Sequence, residues 1–99
     1  MATETFSVRG TPQATTKKAL TIMKRFKIPE YKLMECSVAQ QGDTHVACAR
    51  WEEYALLFCD SIVLRVNAKK SYSGKGTDVE VCNDGVQCAR LTQKLRREL

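Results

Sequence analysis

The decapeptide Ala68-Lys69-Lys70-Ser71-Tyr72-Ser73-Gly74-Lys75-Gly76-Thr77 gathers three lysines, two glycines, three hydroxyl side chains besides the tyrosine and one aromatic ring. Glycines free to take unusual backbone angles can turn amide N–H groups towards an anion, and the lysines add charge. The chemistry this suggests is contact with phosphate. It is not the nucleotide-cradling motif G-x-x-x-x-G-K-[ST]. Lys75 is followed by Gly76, and no glycine stands five residues before Gly74. The dinucleotide fingerprint G-x-G-x-x-G is also missing. The loop therefore reads as a phosphate contact or as a solvated connection.

Further cations fall into two groups. Lys17, Lys18, Lys24 and Arg25 lie in a stretch of helical period, where residues seven apart, Lys17/Lys24 and Lys18/Arg25, stack in one lane. Arg90, Lys94 and Arg97 lie in a second such stretch near the end. Residues 1–29 carry six basic and one acidic side chain (net +5), residues 30–60 two and six (net −4), residues 61–99 eight and four (net +4). The sum is the formal +5 of the whole chain. Basic ends around an acidic middle suggest one face for an anionic partner, although a net charge of this size also serves solubility.

Bond-making chemistry has little to work with. His45 is the single histidine, and no nucleophile–base–orienter set is legible around it. Glu52 and Glu53 are adjacent, so on a strand they would point to opposite faces. The five cysteines, Cys36, Cys48, Cys59, Cys82 and Cys88, include no C-x-x-C pair. His45-x-x-Cys48 with Cys36 is the one trio with metal-ligand residue types, and it would need a fourth ligand. The cysteines read as buried thiols, and no metal, cofactor or catalytic residue is expected.

The elements that must position the cations follow from period and punctuation. Residues 1–10 form an N-terminal arm or an edge strand, and residues 11–99 a single α+β domain. Thr11-Pro12 is a helix start, and Ala19, Ile22, Met23 and Phe26 share one face until Pro29 stops the helix. From Tyr31 the period shifts to two, with Met34, Cys36 and Val38 on one face of a strand. Gln41-Gly42-Asp43 turns the chain, and Thr44–Trp51 is a second strand. Tyr54–Cys59 and Ile62–Val66 are two strands or one bulged strand; a helix over 52–67 competes. Asp78–Cys82 is a last strand. Asn83 or Asp84 then caps a helix with Cys88, Leu91, Leu95 and Leu99 on one face. The expected architecture is an antiparallel β-meander of four or five strands packed against an N-terminal and a C-terminal helix.

The order helix–strands–helix, the run Pro29-Glu30-Tyr31-Lys32-Leu33 after the first helix and a basic glycine-containing loop before the last helix resemble a double-stranded-RNA-binding domain. In that family the final helix opens with Lys-Lys-x-Ala-Lys. Asn83–Arg90 has none of it, and the central region holds about one strand too many. The resemblance stays at the level of fold, and none of the family's RNA-binding residues is carried over.

The resulting expectation is a non-enzymatic nucleic-acid-binding module, RNA ahead of DNA, acting on backbone phosphates. The candidate contacts are Lys17, Lys18, Lys24, Arg25, Lys69, Lys70 and Lys75, then Arg90, Lys94 and Arg97. The alternative is a protein-interaction or homo-oligomerising subunit using an open sheet face or an edge strand. With no secretory signal in MATETFSVRG and no long apolar run, the expected setting is the cytoplasm or nucleus, with no membrane partner.

Overall fold

The computed structural model describes residues 2–53, 60–83 and 89–99. The elements run β1 (Ala2–Val8), α1 (Pro12–Arg25), β2 (Tyr31–Gln41), β3 (Thr44–Glu53), β4 (Ser61–Lys70), β5 (Thr77–Asn83) and α2 (Ala89–Glu98). The five strands form one antiparallel sheet in the order β1-β5-β4-β3-β2. The α+β class, the meander and both helices are those expected. The N-terminal residues form an edge strand, not a loose arm: Ala2–Val8 pairs with Asn83–Thr77. This strand precedes α1 and is additional to a helix–strands–helix order.

One face of the sheet makes the core. β4 runs through the middle, and its alternation is strict: Ile62, Leu64, Val66 and Ala68 are buried, while Arg65 and Lys69 are exposed on the other side. β3 adds Ala47, Ala49 and Trp51, and β5 adds Val79 and Val81. The two alanines leave room for a helix to lie close. α1 fills it with Ala19, Ile22 and Met23 and packs on β2, β3 and β4. α2 completes the cluster with Leu91 and Leu95, both fully buried. Each such leucine contributes about 1.5–3 kcal/mol relative to an exposed one.

Helix boundaries follow from capping. The Ala14 N–H donates to Thr11 Oγ1 at 3.1 Å, and Pro12 opens the first turn. Buried Thr15 and Thr16 satisfy their hydroxyls inside the helix, donating to the Thr11 carbonyl at 2.8 Å and the Gln13 carbonyl at 3.0 Å. Phe26 leaves helical geometry, and Pro29 lies three residues on.

Three expectations need correction. The single face through Met34, Cys36 and Val38 is broken by a bulge: Leu33 pairs with Trp51 and Glu35 with Arg50, leaving Met34 as the extra residue. Leu33 and Cys36 therefore both pack on the core, while Met34 is 45% exposed. Asn83 does not cap α2. It ends β5, and its amide donates to the Thr92 hydroxyl at 3.0 Å in the interior; Asp84 lies outside the described residues. A helix over 52–67 is excluded where it can be checked, because 52–53 and 61–67 are strand. The segment Tyr54–Cys59 itself lies outside the described residues.

The β4–β5 loop is tied down. Within it the Ser71 N–H donates to the Gly76 carbonyl at 3.1 Å, and the Gly74 N–H to the Ser71 carbonyl at 2.9 Å. Gly76 (φ 78°) lies against β1 so closely that a Cβ would stand 2.5 Å from the Val8 carbonyl oxygen. Gly74 (φ 79°) faces open space. Gly76→Ala is expected to cost about 2–4 kcal/mol in urea denaturation, combining left-handed strain with displacement of β1, and Gly74→Ala only about 1 kcal/mol. Equal losses at the two glycines would show that the loop does not rest on β1.

Candidate nucleic-acid interface

The predicted cations are divided by the fold into an end cluster, a helix lane and an opposite end. Lys69 and Lys70 finish β4, and Lys75 sits in the loop that follows. β1 ends beside this loop, because Val8 pairs with Thr77 and the Thr77 hydroxyl donates to the Gly10 carbonyl at 2.8 Å. Arg9 is thereby brought to Lys75: the two share a shallow cleft of about 340 Å³ with Val8, Gly10 and Gly76. Tyr72, in the same loop, is completely exposed.

Arg9 was missed by sequence reasoning, since no period links it to residue 75; only the β1–β5 register does. Arg65 was missed as well, and here a signal existed. The alternation Arg65-x-Asn67-x-Lys69 places these side chains on one sheet face, where they line a groove of about 730 Å³ with Thr44, Val46 and Glu80. Anionic groups also stand at this end, and they have neutral donors. Asp78 accepts from the Ser7 hydroxyl at 2.9 Å, and Glu80 from the Asn67 amide at 3.1 Å. Asp78 lies opposite Lys69 in the ladder without forming an ion pair.

Lys17 and Lys18 lie on the exposed side of α1, roughly 8–9 Å along the axis from Pro12 at about 1.5 Å per residue. They are the members of the helix lane nearest the loop. Lys24 and Arg25 close α1 at the far end of the molecule, where β2 begins. Arg90 belongs to that far end too, in a cleft with Lys27, Glu30 and Glu53. Lys94 is engaged by Glu98 at 3.7 Å, an exposed i,i+4 pair of small energy. Arg97 is exposed on α2. Among the described residues Arg9, Lys17, Lys18, Lys24, Arg25, Lys69, Lys70, Lys75, Arg90 and Arg97 form no ion pair, whereas Arg50 is held by Glu35 and Glu52, and Arg96 by Glu4.

The groups considered for bond chemistry are dispersed. His45 and Cys36 sit on the core side of the sheet and Cys48 on the other, because Cys36 pairs with Ala49 and the side-chain period is two. Glu52 turns to Arg50 on the open face, and Glu53 lines the far cleft. Cys36, Cys48 and Cys82 are free and half-buried; burial raises the thiol pKa of Cys36 and Cys82, disfavouring the nucleophilic thiolate. Cys59 and Cys88 lie outside the described residues. No described helix is long and apolar enough to cross a membrane. Comparison with protein-family models, curated proteins and solved structures finds no match.

The far end is acidic where it meets Tyr31. The Tyr31 hydroxyl donates to Asp60 at 3.0 Å. Partial burial, this hydrogen bond and the nearby Glu53 and Glu30 carboxylates push the phenol up to about 12. The folded value is raised above the ordinary 10, so the contribution to stability is complete below pH 10 and is lost as pH rises through about 12. Ultraviolet titration should show a phenolate transition near pH 12 that disappears in Tyr31→Phe. Its persistence in that variant would assign it to another tyrosine.

Proposed function

We propose that the chain is a non-enzymatic nucleic-acid-binding module that grips backbone phosphates with the end built from Arg9, Lys69, Lys70 and Lys75. The observation that carries this reading is the convergence of these cations, free of ion pairs among the described residues, on a loop anchored by Gly76 and Thr77. Cations left unpaired on a rigid support pay little reorganisation when a phosphate arrives, and each contact releases counterions. Lys17 and Lys18 extend the surface along α1. Lys24, Arg25 and Arg97 form a weaker periphery, and Arg90 and Lys94 have carboxylates close by.

Tyr72 sharpens the substrate class. A fully exposed ring flanked by lysines offers a stacking platform for an unpaired base. Bases free to stack are presented by single strands and by RNA loops, which places RNA ahead of DNA and unpaired nucleotides ahead of duplex. Recognition is sequence-tolerant, since phosphates carry no sequence information and every base has a π-face.

Fluorescence anisotropy with mixed-sequence single- and double-stranded RNA and DNA across a salt series tests this reading. With three or four phosphate contacts, affinity for a single strand should fall with a log–log salt slope of roughly −2 to −3. The variant Lys69→Glu/Lys70→Glu/Lys75→Glu should abolish most of that slope. Tyr72→Ala should weaken single-strand binding by about 1–3 kcal/mol and leave duplex binding nearly unchanged. Affinity unaffected by the triple charge reversal, or no binding at low salt, overturns the reading.

A further inference from the structure

We infer that the β2 edge is a self-association surface through which two copies of this chain join their sheets into one. β2 is the terminal strand of the sheet, and among the described residues nothing pairs with its outer edge. Over eleven residues, at about 3.3 Å each, it presents roughly 36 Å of backbone with unpaired N–H and C=O groups. A long open edge of this kind is normally blunted.

The two edges of this sheet are treated differently. β1 is only seven residues long, and Glu4 on it is held by Arg96 of α2. The first half of β2 is blunted too, by Lys32, Glu35 and the bulge at Met34. The second half is not. Cys36-Ser37-Val38-Ala39-Gln40-Gln41 contains no charge, no proline and no glycine. Val38 lies on the core side of the sheet opposite fully buried Ala47, yet it is 39% exposed. The apolar layer thus runs out to the edge and stops there uncovered.

The segment is complementary to itself in antiparallel pairing, so a second copy satisfies this edge. A two-fold axis perpendicular to the sheet at Ser37 keeps both helix layers on the same side. It sets Cys36 against Val38 of the partner subunit on the core face, and Glu35 against Ala39 of the partner subunit on the open face. No like charges oppose one another. The contact is isologous and closes at two copies, and the guarded β1 edges end the sheet at ten strands, five from each copy.

This inference does not depend on nucleic-acid binding, so it is tested on nuclease-treated protein. Light scattering over a concentration series should show a monomer–dimer equilibrium. Amide hydrogen exchange should show protection at residues 36–41 that increases with protein concentration. Val38→Lys, which places a charge at the uncovered edge, should weaken association about tenfold or more while circular dichroism stays unchanged. A monomer at every concentration overturns the proposal, as does a dimer indifferent to Val38→Lys or one that leaves residues 36–41 unprotected. Should the variant fail to fold, the exchange pattern of the unaltered chain decides alone.

Discussion

The ladder between β1 and β5 is the constraint on which the rest depends. It joins residues far apart in the sequence, from Val8 opposite Thr77 to Ala2 opposite Asn83. Closing so long a loop costs conformational entropy that no local contact repays. The return comes at both ends of the ladder. At one end Gly76 lies on the Val8 carbonyl, and Thr77 donates to Gly10 immediately before the α1 cap. At the other, Asn83 reaches Thr92, and Arg96 of α2 reaches Glu4 of β1. The same pairing therefore orients the first helix, seats the second and brings Arg9 to the lysine loop. Without it the cations would belong to independent segments.

How much of this was legible follows from where the physics is local. The α1 boundaries were readable because capping and proline chemistry act within four residues. β4 was readable because its alternation is unbroken from Ile62 to Ala68. β3 has apolar residues on both faces, so Val46 and Cys48 against Ala47, Ala49 and Trp51 give no sign of which side meets the helices; the small alanines under α1 decide it. On β2 the shared face of Cys36 and Val38 was read correctly, but the bulge adds one residue and puts Leu33 on that face in place of Met34. Nothing in Leu33-Met34-Glu35 announces the slip. Asn83 was misassigned because a capping residue type also serves as an interior hydrogen-bond donor, and only the tertiary partner Thr92 separates the two uses.

The candidate site was legible in type but not in grouping. Lysine content marked the loop, and helical spacing marked the α1 lane. The fold then separated what charge counting had added together, sending Lys24, Arg25 and Arg90 to the end where Glu30, Glu53 and Asp60 gather. Proximity in sequence carried Lys69, Lys70 and Lys75 to the same place. Proximity in space added Arg9, at a separation no periodicity reports. At the opposite end the carboxylates Glu30, Glu53 and Asp60 from the acidic middle of the sequence meet cations from both helical segments, because β2 starts and β3 finishes there.

Covering one face of a five-stranded sheet with two helices leaves two liabilities, an open face and two edges. The open face is settled by polarity: Arg50 between Glu35 and Glu52, Asn67 on Glu80 and Ser7 on Asp78 give it a hydrogen-bonded surface that gains little from further burial. The β1 edge is short, and Glu4 on it is held by Arg96 of α2. What remains is the uncharged half of β2, where unpaired backbone and the exposed Val38 coincide. The basic end that we propose grips polyanions and the apolar edge that we propose pairs with a second copy lie on different surfaces of this chain. Binding at one need not obstruct the other, and two joined copies would carry two cationic ends at opposite extremes of one continuous sheet.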